Sequence, residues 1–180
     1  YGEWKPKQYS GTYGTNGFYL PFKADYSVEG FSTVLYKGSG ASTTNYIGGV
    51  GFKPDLVWIK QRNDNYSNGL FDSTRGGTFQ IQSNNDSAQN SSAGYLKTFD
   101  SDGFGLGGDF AFNRNTYTYV AWCWQANGGT TSSNTDGSST STVQVNSGAG
   151  FSIVKYVGNQ TAGHTIGHGL GATPQVIIIK

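Results

Sequence analysis

Two stretches of this chain, 120 residues apart, repeat one another. GFSTVLYKGSGASTTNYIGGVGFKPDLVWIK runs from 30 to 60, and GFSIVKYVGNQTAGHTIGHGLGATPQVIIIK from 150 to 180. They align without a gap, and eleven positions are identical: 30, 31, 32, 34, 36, 38, 49, 51, 54, 59 and 60, each with the residue 120 further on. A spacing this long is not that of a solenoid, whose repeats run to roughly 20–50 residues. Each repeat instead has room to open a domain with its own core, so the chain reads as tandem units.

The shared positions have physical roles. Phe31/Phe151, Val34/Val154 and Tyr36/Tyr156 mark a strand. Its other face carries Leu35 in one repeat and Lys155 in the next, so Val34 and Tyr36 are placed toward the core. Gly49/Gly169 and Gly51/Gly171 mark a turn that needs positive φ or close packing. Pro54/Pro174 stands just before the next strand, where a missing N–H does least harm. LVWI and VIII are apolar at successive positions, the pattern of a central strand buried on both faces.

Composition points the same way. Aromatics make up 15% of the 180 residues, glycine contributes 28, and the only glutamates are Glu3 and Glu29. No long segment has apolar residues at helical spacing, so almost no helix is expected. Strands are expected at 31–37, 55–61, 68–72, 78–82, 94–99, 103–107 and 117–126. The clearest, in TYTYVAWCWQA, puts Tyr117, Tyr119, Ala121 and Cys123 on one face and Val120, Trp122, Trp124 and Ala126 on the other. The expected class is all-β: an antiparallel β-sandwich or jelly-roll-like unit, plus the start of a second, homologous unit. Residues 1–29 read as an extended, aromatic-rich lead-in arm and 30–126 as the sandwich domain. Residues 127–149 read as a Ser/Thr/Gly/Asn-rich linker in which TSTVQVN adds one strand. Residues 150–180 read as the first strands of the second unit. With no Met in the chain and nothing after PQVIIIK, the reading is an internal segment of a longer polypeptide, the remaining strands of 150–180 coming from later residues or another chain.

The charge pattern removes some functions. Twelve basic and 11 acidic residues give a net charge of +1, spread without a basic stripe, so no nucleic-acid partner is expected. No apolar run reaches the roughly 18 residues of a membrane-spanning helix, and no membrane insertion is expected. Cys123, the lone cysteine, sits between Trp122 and Trp124 and reads as a small buried hydrophobe.

Candidate sites are few. Asp100, Asp102 and Asp109 in DSDGFGLGGD form a weak calcium candidate. The Glu required at the twelfth position of an EF-hand loop is Ala111 here, and Asp102-Gly103 reads better as a hairpin turn. His164 and His168 read as polar loop residues. Asp64 and Asp72 only bracket a loop, and no Ser-His-Asp order fits, so no catalytic residue, metal or other cofactor is assigned. Tyr13, Tyr19, Tyr46, Tyr66 and Tyr95 lie in or near loops and are the candidates for stacking on sugars, against the alternative of packing or subunit contact.

The ordered set YGEWKPKQYSGTYGTNGFYLPF, GFSTVLYKGSG, GVGFKPDLVWIKQRN, YTYVAWCWQANGG, SNTDGSSTSTVQVN and GFSIVKYVGN…TIGHGLGATPQVIIIK resembles a family of large virion structural proteins of marine tailed phages, of tail-fibre-like or lectin/glucanase-like type. The resemblance covers nearly the whole chain. It implies a β-sandwich unit of an elongated fibre or spike on the virion surface. The implied partners are other copies of the chain in a homotrimer, other virion proteins and host cell-surface glycans. No catalytic residue comes with it. The expected role is non-enzymatic and adhesive. The alternatives are a capsid decoration or scaffold protein without a ligand, and an accessory domain of a glycan-degrading enzyme or bacterial adhesin.

Overall fold

The computed structural model describes residues 28–180, together with Gly11. The lead-in arm, with Tyr13 and Tyr19, lies outside the described residues. The described chain is all-β. Twelve strands, β1 (Phe31–Lys37), β2 (Asn45–Gly48), β3 (Leu56–Gln61), β4 (Gly69–Asp72), β5 (Phe79–Gln80), β6 (Asn90–Ser91), β7 (Leu96–Asp100), β8 (Gly103–Leu106), β9 (Thr118–Trp124), β10 (Ser132–Asn134), β11 (Ser141–Asn146) and β12 (Phe151–Lys155), accompany a single-turn helix, α1 (Phe110–Asn113). Among the described residues no helix is long and apolar enough to cross a membrane.

The main sheet has the order β1-β9-β3-β4, and every pairing in it is antiparallel. β9 is central, as its two apolar faces require. Tyr119, Ala121 and Cys123 point inward and are fully buried, while Trp122 and Trp124 cover the outer face. Trp122 sits opposite Trp58 of β3, their ring centroids 5.8 Å apart and edge to face. A second sheet, β2-β8-β7, contributes Ile47, Phe104, Leu106 and Leu96 to one core with Val57, Ile59 and Phe71 of the main sheet. Val34 and Tyr36 pack on this core, and Tyr36 stacks on Tyr119 at 4.9 Å and donates to Phe112 O at 2.8 Å. This is the antiparallel sandwich, with β5 and β6 as a small ribbon bridged to β4 through Leu70 and Ile81.

Gly49 and Gly51 adopt φ of 83° and 88°, and their second-repeat partners Gly169 and Gly171 adopt 75° and 71°. The shared glycines thus meet the same left-handed requirement in both repeats. In the first repeat, Asp102 secures the turn. Its carboxylate accepts from Gly51 N at 2.6 Å and from Gly49 N at 3.1 Å.

Three expectations change. β2 was not expected: NYIG is short and half glycine-flanked, yet Ile47 is buried against the core. The stretch 127–149 holds two strands instead of one, in a third sheet ordered β10-β11-β12. Thus the GFS strand of the second repeat finds a partner within the chain, β11, whose Val143 and Gln144 are buried as they pair with Val154 and Ile153. Finally, VIII at 176–179 forms no strand, and all four residues are exposed. The flanking strands that hold the equivalent β3 in place, β9 and β4, have no counterpart beside it among the described residues.

The third sheet is fastened to the sandwich at one corner. Trp124 lies between the equivalent phenylalanines of the two repeats, 5.0 Å from Phe31 and 6.0 Å from Phe151. Beside it, the fully buried Asp55 accepts from Ser73 Oγ at 2.6 Å, Ala126 N at 2.7 Å and Gly128 N at 2.9 Å. Gln144 of β11 donates to Ser73 Oγ at 2.9 Å and Thr74 Oγ1 at 2.7 Å, and accepts from Gly129 N at 3.0 Å.

Asp55→Ala strips these donors of a charged acceptor and should destabilise the protein by about 3–5 kcal/mol, read as a lower urea midpoint. Asp55→Asn, which keeps an acceptor oxygen, should cost distinctly less. A second outcome concerns Cys123, whose thiol is pushed up to about 12 by desolvation. It should not react with a thiol-specific disulfide reagent at mildly alkaline pH in the native protein, and should react once in denaturant.

Candidate functional site

Of the five candidate tyrosines, the structure brings two together. Tyr66 and Tyr95 line a cleft of 380 Å³ with Gln80, Gln82, Asp109 and Phe110. Four separate parts of the chain converge there: the loop after β3, the β5 region, the turn before β7 and the turn that opens α1.

The loop carrying Tyr66 is pinned by polar side chains. Lys60 Nζ donates to Tyr66 O at 2.7 Å and Asp64 O at 3.2 Å. Asp64 pairs with Arg114 at 3.5 Å, and the Arg114 guanidinium lies 4.2 Å over the Tyr117 ring. From the other side, Asn84 Oδ1 accepts from Asn68 N at 3.0 Å, and Asn84 Nδ2 donates to Ser67 Oγ at 3.3 Å. A side chain on a loop held this way is positioned before any ligand arrives. The Tyr66 ring remains exposed.

Tyr95 plays a different part. Its ring is half-buried edge-on against Phe112 at 5.6 Å and tilted on Phe71 at 5.8 Å. It forms the wall of the cleft and is committed to packing. The other open aromatic surface in the cleft is Phe110, which is 64% exposed. Phe110 escaped sequence reasoning because FAFN looks like core. Here Ala111 and Phe112 turn inward over the sandwich and leave Phe110 outside.

Asp109 supplies the charge. It is the N-cap of α1: its Oδ1 accepts from Ala111 N at 2.9 Å and its carbonyl from Asn113 N at 2.8 Å. Desolvation raises its carboxyl above the ordinary carboxylate value, and the Ala111 N–H only partly offsets that. Below it, the fully buried Asn113 ties α1 to the β1–β2 loop, accepting from Ser39 N at 2.9 Å and Asn45 Nδ2 at 2.8 Å and donating to Gly107 O at 2.8 Å.

The remaining candidates are not part of this cleft. Tyr46 is exposed on the outer face of β2, its ring lying against Gly48. Asp100 and Asp102 stand at the β7–β8 hairpin, with Ser101 and Asp102 as its two turn residues and Asp100 paired with Gly103. The hairpin is as expected but its turn sits one residue earlier. Asp102 is occupied by Gly49 and Gly51, Asp100 accepts from Thr98 Oγ1 at 2.8 Å, and Asp109 caps α1 beyond the far end of β8. The three do not converge. Among the described residues no group of three or more His, Cys, Asp or Glu side chains is placed to hold a metal ion. His164 Nδ1 lies 3.2 Å from Ser138 Oγ, which also accepts from Thr165 N at 2.8 Å, and His168 Nδ1 accepts from Leu170 N at 3.2 Å. His168 thus serves its own loop, and His164 ties its loop to the one between β10 and β11.

With this geometry the comparisons with known proteins can be stated. A family described as a domain of unknown function, DUF7483, matches residues 26–180. The chain belongs to the DUF7483 family. The DUF7483 match takes in the sandwich, the third sheet and both repeats as one span. No curated protein and no solved structure matches the chain.

Asp109 gives this DUF7483 site a pH signature. A carboxyl raised in the folded state disfavours ionisation there, so its contribution to stability is present at low pH and is lost as pH rises through the folded value, above the ordinary 3.8. Asp109→Asn keeps an N-cap acceptor and removes the half-buried charge. It should therefore flatten the fall in stability on the alkaline side of 3.8 without lowering the plateau. Asp109→Ala should remove the same pH dependence but lose about 1 kcal/mol through the cap, both read from thermal melts across pH.

Proposed function

We propose that this chain is a non-enzymatic, glycan-binding structural unit of a virion fibre or spike, acting in adhesion to a host surface. The observation that carries the reading is the cleft lined together by the exposed rings of Tyr66 and Phe110, the partly desolvated carboxylate of Asp109 and the amides of Gln80 and Gln82. Sugars present apolar C–H faces and a girdle of hydroxyls. Aromatic rings meet the faces, and carboxylate and amide groups exchange hydrogen bonds with the hydroxyls. A small concave site with a few convergent polar groups is the usual form of a small-ligand site.

The resemblance to tail-fibre-like virion proteins supports the wider setting: a homotrimer on the virion surface, in contact with other virion proteins. In such an array, weak single sites gain from avidity. The cleft's lining contains one carboxylate, Asp109, whereas hydrolysis of a glycosidic bond ordinarily uses two flanking it. That favours binding over cleavage. A second reading, a scaffold unit without a glycan ligand, is favoured by one observation, the exposed apolar run Val176–Ile179, which suits assembly better than sugar recognition.

A glycan array probed with the whole protein discriminates the two. The adhesion reading expects hits that persist at raised salt, and Tyr66→Ala or Phe110→Ala should weaken them about tenfold, equivalent to ~1.4 kcal/mol. Tyr46→Ala, outside the cleft, should leave them unchanged. An array with no hits overturns the adhesion reading in favour of the scaffold.

A further inference from the structure

The cleft of Tyr66 and Phe110 contains one side chain whose burial is not matched by a partner. Gln80 follows the exposed Phe79 in β5, so strand alternation turns it to the opposite face, toward the sandwich. It is 3% exposed and lines the cleft. Other buried amides are held on several sides: Gln144 by Ser73, Thr74 and Gly129, and Asn113 by Ser39, Asn45 and Gly107. The Gln80 amide makes no hydrogen bond to any of the described residues. Gln61 also lacks partners, but its amide atoms are sealed from solvent, whereas Gln80 stands at a cavity of 380 Å³. That volume is near the lower end of the roughly 300–1,000 Å³ of small-ligand sites and suits a single sugar unit. A buried amide without a partner costs its desolvation, and a ligand that supplies both a donor and an acceptor recovers it.

We infer that the ligand of this cleft, on the glycan-binding reading given above, is a neutral sugar carrying an acetamido group, and that Gln80 is the residue that selects it. The groups left free in the cleft define the ligand. Gln80 offers Nε2 as donor and Oε1 as acceptor. Gln82 Oε1 is taken by Asn85 Nδ2, which leaves Gln82 Nε2 as a donor. Asp109 Oδ1 is taken by Ala111 N, which leaves Oδ2 as an acceptor. An acetamido group brings a carbonyl for these donors and an N–H for these acceptors, and its methyl adds apolar surface beside the rings of Tyr66 and Phe110. A hydroxyl in its place reaches less far and brings no methyl. An acidic sugar would set a second carboxylate beside Asp109 in a lining without Lys or Arg. The cations nearby are committed elsewhere, Lys60 to Tyr66 O and Asp64 O, and Arg75 to Asp72. An amino sugar would satisfy Asp109, but its ammonium only donates and leaves the Gln80 and Gln82 Nε2 donors unpaired.

The test uses the whole protein with saturation-transfer NMR and isothermal titration. The probes are N-acetylglucosamine, glucose, glucosamine and glucuronic acid, and the matching sugars of the galactose series. Saturation should reach the acetamido methyl most strongly, and the acetamido sugar of one series should bind at least tenfold tighter than its hydroxyl counterpart. Gln80→Leu exchanges an unpartnered amide for an apolar group of similar size. It should keep or raise the melting temperature and bring the acetamido-to-hydroxyl ratio close to one. Asp109→Asn should leave that ratio in place. The proposal is overturned if acetamido and hydroxyl sugars bind alike, if the preference survives Gln80→Leu, or if Gln80→Leu lowers the melting temperature, since the amide would then have a structural partner. It is also overturned if the amino sugar binds best and loses that advantage in Asp109→Asn, because the ligand would then be a cation. If the glycan array gives hits and no acetamido sugar is preferred, this proposal falls alone and adhesion stands. If nothing binds in either experiment, both fall.

Discussion

Asp55 is the point on which the arrangement of sheets depends. Burying a carboxylate is costly unless its oxygens are met by donors, and here two backbone N–H groups and a hydroxyl meet them. The donors come from three places: the residue after β4, the end of β9, and the Gly128 turn that leaves the sandwich. Asp55 N also donates to Trp124 O at 2.7 Å, and Ser73 N to Asp55 O at 2.8 Å. One side chain therefore fixes where β3 begins, where β4 and β9 end, and in which direction the chain departs toward β10. Through the Ser73 hydroxyl the same network reaches Gln144 and sets β11 against the sandwich. At the equivalent position the second repeat has Gln175, whose amide is a neutral acceptor and cannot replace the carboxylate.

Much of this was legible in the sequence, for reasons that differ by element. The repeat located β1 and β3 because apolar positions separated by a glycine turn and a proline recur together. The two-faced apolar run of β9 showed that it is central. Where the sequence was silent, the deciding interaction lay far away in the chain. β2 owes its burial to β8 and the opposing sheet, not to NYIG. β10 was not read because its partner β11, the one strand expected in this Ser/Thr-rich stretch, is itself tied to the sandwich by Gln144, which reaches Ser73 and Thr74 some 70 residues earlier. Low complexity did not mean absence of structure, since hydroxyl and amide groups were matched by specific partners.

The candidate site shows the same division. Tyr66 could be named from its place in a polar loop, and it does line the cleft. Tyr95 carried the same signal, yet its ring belongs to the core cluster with Phe71 and Phe112. Phe110 carried the opposite signal and is open to solvent. The one-turn helix decides both: Asp109 caps it, Asn113 anchors it, and within four residues it turns Phe112 inward and Phe110 outward. A turn that short has no sequence periodicity to read. What could be read was its cap, an Asp before an apolar run. The same Asp, drawn partly out of water by that role, is also the charge available to a ligand.

The two PxxVxIK-like segments carry the broader lesson. LVWIK and VIIIK have nearly the same local preference for strand, and the second is the more β-branched. Only the first is a strand. Local propensity is weak against the cost of an unpaired backbone, so β3 exists because β9 and β4 lie beside it, and β9 arrives only after some 60 intervening residues have folded into the opposing sheet. A motif of this kind specifies a position in a sheet and leaves the completion of that sheet to whatever strand is supplied. In the first repeat the chain supplies its own. In the second, the glycine turn has the same left-handed geometry, but no described strand lies beside residues 176–179, which form no strand and stay exposed.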